Sequence, residues 1–82
     1  MPEICRFLGI VITMYFDEHN PLHFHVKYNE HAAVINIRTL NISDGYLPAR
    51  VRGLVEEWEE LHKQELLEMW ETKEFHKIQP LV

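Results

Sequence analysis

Eighty-two residues leave room for one domain, and a chain this short buries only about 60% of the surface it exposes when unfolded. Hydrophobic residues make up 46%, which argues against disorder, and no apolar run approaches the ~18 residues of a membrane span. Eight basic against thirteen acidic side chains exclude a broad phosphate-covering surface, and the lone Cys5 excludes an internal disulfide or a multi-cysteine zinc site.

The chain changes character near Asp44 and Gly45. Before that point aromatic and β-branched residues alternate; after it apolar residues recur at helical spacing. One domain over residues 1–82 is expected, β-rich over 1–45 and helical over 46–82. Strands followed by helices predict an α+β fold with an antiparallel sheet of three to four strands, one face packed against the C-terminal helical region.

Residues 9–16 read as the first strong strand. Ile10, Ile12, Met14 and Phe16 fall on one face, and Val11, Thr13 and Tyr15 on the other. A short extra strand near residues 4–7 is an option. Residues 17–21 form a turn segment closed by Pro21, which lacks a donor and delays the next strand. Residues 23–28 alternate cleanly: Phe24, Val26 and Tyr28 share one face, His23, His25 and Lys27 the other. A two-residue turn at Asn29 and Glu30 pairs Tyr28 with His31, Val26 with Ala33 and Phe24 with Ile35, keeping apolar beside apolar. Glu30 is ill suited to a positive φ at the second turn position.

From about Pro48 the spacing is helical. Val51, Val55, Trp58, Leu61 and Leu66 fall on or near one stripe, but Leu67 and Trp70 fall off it. A single straight helix over 48–72 would span ~37 Å, longer than so small a domain is wide. Two helical segments with a bend at residues 61–64 are therefore predicted. The expected core is Ile10, Ile12, Phe24, Val26, Ile35, Val51, Val55 and Trp58.

Chemistry concentrates in the histidines: His19, His23, His25 and His31 are four of six. His23 and His25 project from one strand face about 6.5–7 Å apart. With His19 folding back they are the only metal candidates, yet no carboxylate or thiolate sits at ligand spacing and Lys27 adds positive charge. No bound metal and no cofactor are expected. A covering of the sheet face by histidines bonded to turn backbone is the plainer reading. Metal-free RNA cleavage needs a base, an acid and a cation; His23, His25 and Lys27, with Arg6 and Tyr15 nearby, supply those groups. Arg50 and Arg52 precede a run of glutamates, and Arg52–Glu56 and Glu59–Lys63 are i,i+4 pairs on what reads as a solvated face. Leu66, Leu67, Met69 and Trp70 exceed the core's needs and are expected as a partly exposed partner surface, for a second copy or another chain. Cys5 reads as a small buried hydrophobe.

Met1-Pro2-Glu3-Ile4-Cys5-Arg6-Phe7, then Gly9-Ile10-Val11-Ile12 and Met14-Tyr15, resemble the start of the bacterial family catalogued as domain of unknown function 4160. His19-Asn20-Pro21-Leu22-His23-Phe24-His25-Val26-Lys27-Tyr28 is the most specific part of the resemblance. Leu47-Pro48, Val55, Trp58, Leu61-His62, Glu65-Leu66-Leu67 and Trp70 extend it along the helical half. Leu22 stands where Pro is usual, and Asn29-Glu30 where Gly-Gly is usual. The resemblance implies a small cytoplasmic component encoded beside another small domain, in an arrangement of toxin–antitoxin type. It carries no established catalytic residues. The expectation is a partner-binding protein of such a two-gene module, with His19, His25 and the 66–70 stripe as binding residues. The alternative is an RNA-cleaving toxin using the histidine face. The partner expected is the small protein encoded by the neighbouring gene; RNA stays open as a ligand, and a membrane is not expected.

Overall fold

Elements follow in the order β1 (Glu3–Phe7), β2 (Ile10–Thr13), β3 (His23–Tyr28), β4 (His31–Asn36), β5 (Ile42–Gly45) and α1 (Ala49–Thr72). The computed structural model describes residues 3–15 and 22–82. All five strands form one antiparallel meander, each paired with its neighbour in sequence. The fold is α+β as expected, with one strand more than the three to four predicted.

The first hairpin turns at Leu8 and Gly9, both with positive φ (51° and 79°). That is the backbone a two-residue hairpin with right-handed strand twist requires; glycine adopts it without strain, and the exposed Leu8 does not. A register shift between Glu3 and Cys5 lets Ile4 and Cys5 both turn inward, where strict alternation would expose one of them. Between β3 and β4 the pairing runs Tyr28 with His31, Val26 with Ala33 and Phe24 with Ile35, the register read from the apolar pattern. Only Asn29 of that turn has positive φ (53°), so Glu30 escapes the conformation it resists.

The unforeseen strand is β5. Its sequence, Ile-Ser-Asp-Gly, has little β-forming character and is mostly exposed. The preceding turn supplies what the strand lacks. The Asn36 side-chain oxygen accepts the N–H groups of Arg38 (2.8 Å) and Thr39 (3.0 Å), and the Asn36 N–H donates to Asn41 O (3.0 Å). Gly45 then passes so close to β4 that a Cβ there would strike the Ala32 carbonyl oxygen and lie 2.8 Å from the Ala33 Cα.

One face of the sheet is covered by α1. Ile10, Ile12, Phe24 and Val55 are completely buried, and Trp58 sits against Phe7 and Phe24 at ring distances of 6.4 and 6.1 Å. All eight expected core residues are buried. The helix is not straight: His62 has φ −121° and ψ 16°. A straight 24-residue helix would run ~36 Å, beyond the 31 Å longest dimension of the molecule. The bend falls where the stripe changes direction, and it lets the second half bury Leu66, Met69 and Trp70 in the same core.

Two expectations for the helical half are corrected. Residues 73–82 are not helical. Lys73, at φ 60°, closes α1 by donating its N–H to Met69 O at 2.8 Å. The tail then runs back across the core, where the Ile78 N–H donates to Ile4 O (2.7 Å) and the Trp58 indole N–H to Gln79 O (3.0 Å). Glu59, expected on a solvated face paired with Lys63, is 1% exposed, and Lys63 instead donates to Arg38 O at 3.1 Å. Burial raises the Glu59 carboxyl pKa, and its Oε2 has no hydrogen-bond partner among the described residues.

Candidate functional site

Because α1 and the tail take one face of the meander, the other is left to the alternate residues of each strand. Pairing fixes the rows on this open face. Arg6, Val11, Lys27 and Ala32 form one; Thr13, His25, Val34 and Asp44 form the next. The central strand β3 carries the long side chains, and β2 and β4 carry small ones. The result is a groove of about 240 Å³ lined by Val11, Thr13, Tyr15, His25, Lys27, Ala32, Val34, Asp44 and Gly45, with Val26 and Ala33 at its base. Sequence pattern marked the histidine side of this face. It missed the Ala32, Val34 and Asp44 side, whose signal is the outward half of the same β4 alternation.

From the groove wall a chain of rings leads away toward α1. His25 meets Tyr15 edge-on at 4.7 Å and His23 at 5.2 Å, and His23 meets Trp70 at 5.0 Å. Tyr15 Oη lies 3.5 Å from the Thr13 hydroxyl. The Lys73 ammonium sits 3.8 Å from the Trp70 ring centroid, buried and without a hydrogen-bond acceptor among the described residues, so the indole face is its counterpart. His23, His25 and Lys27 therefore share one face as predicted, and Tyr15 joins them.

Other candidates are placed differently. Arg6 lies two strands from Lys27, and its guanidinium is forked onto Glu3 (2.8 and 3.2 Å), which also takes Lys77 at 3.3 Å. The Arg6 hydrogen bonds, reinforced by Lys77, pull the half-buried Glu3 carboxyl down to about 2. Arg6 is thus committed to a carboxylate and is not delivered to the histidines. His19, with the Asp17–Pro21 turn assigned to it, lies outside the described residues. Among the described residues no three His, Cys, Asp or Glu side chains converge to hold a metal ion. His31 stacks near Tyr46 at 5.4 Å and His62 bonds Glu65 at 3.0 Å, both away from the groove. Cys5 is buried, and burial raises its thiol pKa.

The stripe of Leu66, Leu67, Met69 and Trp70 is corrected as a partner surface. Leu66 and Met69 are fully buried and Trp70 nearly so, while Leu67 is half-buried. The bend at His62 turns these residues onto the sheet, so the apolar surplus read from the sequence is consumed by the core.

The family model for a domain of unknown function (DUF4160) matches residues 9–71. The chain belongs to this family. No curated protein and no solved structure matches it. The matched span of this DUF4160 chain runs from the first hairpin turn nearly to the end of α1, and so contains every groove residue named above. Strand β1 and the tail fall outside the span, and they are the two segments tied together by the Ile78–Ile4 and Lys77–Glu3 bonds. No helix of the described chain is long and apolar enough to cross a membrane.

Proposed function

We propose that this DUF4160 chain is the partner-binding component of a bacterial two-gene module of toxin–antitoxin type, and that its partner docks on the open face of the sheet. The observation that carries the reading is the groove itself: an apolar strip of Ala32 and Val34 along β4 on the face opposite the helix, flanked by Lys27 on β3 and Asp44 on β5, with Val11 beyond Lys27. The Leu66–Trp70 stripe is buried, and the large exposed apolar side chains Leu8, Tyr46, Leu61 and Val82 stand on separate segments, so this strip is the apolar part of the open face that a partner would desolvate. Co-expression with the product of the neighbouring gene tests it. A stable complex is expected from the wild type, and loss of that complex from Val34→Glu, whose own circular dichroism stays native. A complex indifferent to Val34→Glu overturns the docking face; no complex at all overturns the partner-binding role.

A second reading has one observation in its favour. His25 is held between Tyr15 and His23, with Lys27 two residues along the same strand, so a base, an acid and a cation adjoin one groove. In that reading His25 takes the 2′-hydroxyl proton of an RNA strand as O2′ bonds to phosphorus, the P–O5′ bond breaks with protonated His23 giving its proton to the departing 5′-oxygen, and Lys27 faces the phosphate. Induction of the chain without its neighbour would then arrest growth with RNA decay, and His25→Ala would abolish both. Intact RNA under induction excludes it.

A further inference from the structure

We propose that, when the partner is absent, a second copy of this chain covers the open face through a twofold contact centred on β4, so that self-association and partner binding exclude one another. The exclusion rests on the partner-binding reading above; the self-contact does not.

The argument is geometric. Strand β4 lies between β3 and β5, and on the open face it presents Ala32 and Val34. Lys27 on β3 stands in the Ala32 row, and Asp44 on β5 stands in the Val34 row. The two charges therefore occupy diagonal corners around the midpoint of Ala32 and Val34. Two strand spacings and one two-residue step separate their Cα atoms by ~12 Å. Both are exposed, and neither forms an ion pair among the described residues, whereas Arg6 on the same face is held by Glu3.

A twofold axis lying over β4, perpendicular to that diagonal, exchanges the corners. Lys27 of each copy then faces Asp44 of the other, and the two ion pairs form symmetrically. Under the axis lie Ala32 and Val34, with His25 beside them, so the two sheets meet over the small side chains of β4 and the imidazoles of the two copies come together at its flank. The apolar groove is closed in the same step. The pattern of one cation, an apolar strip and one anion is complementary to itself. A nucleic acid would demand cations on both sides of the strip, and Asp44 would repel its phosphates.

Light scattering of the isolated chain over a range of concentrations provides the test. The wild type is expected as a dimer. Lys27→Asp alone and Asp44→Lys alone each place like charges together twice, which raises the dimer dissociation constant by about a hundredfold and leaves monomers. An equimolar mixture of the two single variants should recover a mixed dimer, and the double variant should dimerise by itself. Both positions are exposed, so melting temperatures report that the fold survives. A wild type that stays monomeric at high concentration, single reversals that remain dimeric, or a mixture that fails to recover each overturns the self-contact. Titrating the wild-type dimer with the neighbouring gene product then addresses the exclusion. Conversion to complexes holding one copy of this chain supports it, and a partner bound to the intact dimer overturns it. If the charge exchange works and the neighbour never binds, the partner-binding reading fails while the self-contact stands.

Discussion

The two faces of the sheet are cut from the same strands and differ in almost every other respect. The covered face holds Ile10, Ile12, Phe24, Val26 and Ile35, each at most 1% exposed, under a helix and a tail. The open face alternates with it residue by residue, yet carries Val11, Val34 and Ala32 beside Lys27, His25 and Asp44. A one-residue slip in any hairpin would exchange the two sets. The core therefore lies on one side and the docking face proposed above on the other, and the register that separates them is the main structural decision this sequence makes.

The largest effect should come from breaking the covered side. Trp58→Ala removes a fully buried ring together with its bond to Gln79 O and is expected to cost about 3–5 kcal/mol in urea unfolding. Val34→Ala, on the open side and half-buried, should cost less than about 1.5 kcal/mol. Equal costs for the two would mean that both faces belong to the core.

Next in size is Gly45→Ala. At φ +87° and with the Ala32 carbonyl oxygen in the way, an added Cβ forces β5 off β4, at about 1–3 kcal/mol. Because Gly45 and Asp44 border the groove, this variant should also weaken partner capture, in contrast to Trp58→Ala assayed at a temperature where it is folded. A stable Gly45→Ala protein with unchanged denaturation would show that β5 is not held as described.

Glu59 sharpens the comparison from within the covered side. Its carboxyl is buried and its pKa is raised by desolvation, so the neutral form is the one the fold favours. Above the unfolded-state value of 4.5 the unfolded chain gains from ionising more than the folded chain does, and stability falls as pH rises. Glu59→Met should thus stabilise the protein by about 1 kcal/mol at pH 7, with the gain shrinking toward pH 4. A gain that does not change with pH would place the carboxylate in contact with water.

Smallest is Glu3, half-buried and bridging Arg6 and Lys77 at the surface. Its lowered pKa makes it a contributor above 4.5, lost as the pH falls toward 2. Glu3→Gln should give a slight loss of melting temperature at pH 7 that disappears in high salt and at low pH. A loss that survives high salt would point to packing of the Glu3 stem.

Much of this architecture is legible in the amino-acid sequence. Alternation in β2, β3 and β4 gave the faces, the register and the shared placement of His23, His25 and Lys27, because period-2 burial leaves a direct mark on sequence. The bend at His62 was legible as a mismatch between stripe direction and helix length. The rest depended on interactions that local pattern does not encode. Strand β5 exists through the Asn36 turn and the close passage of Gly45, neither of which shows as hydrophobic alternation. The Leu66–Trp70 stripe looked like surplus because the sheet alone seemed too small for it; the fifth strand and the returning tail enlarge the core that receives it. Lys27 was visible as a cation, but its diagonal relation to Asp44 needed β5 to be placed first.

The meander also bears on how the chain reaches this structure. Every strand pairs with its neighbour in sequence, so the whole sheet can be assembled from hairpins that close within microseconds and pay little loop entropy. The bonds between the tail and β1 are of another kind, since Lys77 and Glu3 stand 74 residues apart. Formation of the hairpins and of α1 should accordingly come early, and fastening of the tail over Trp58 late. In native-state hydrogen exchange the amides of β2, β3 and β4 should open only with global unfolding, while the Ile78 amide exchanges through a cheaper, local release.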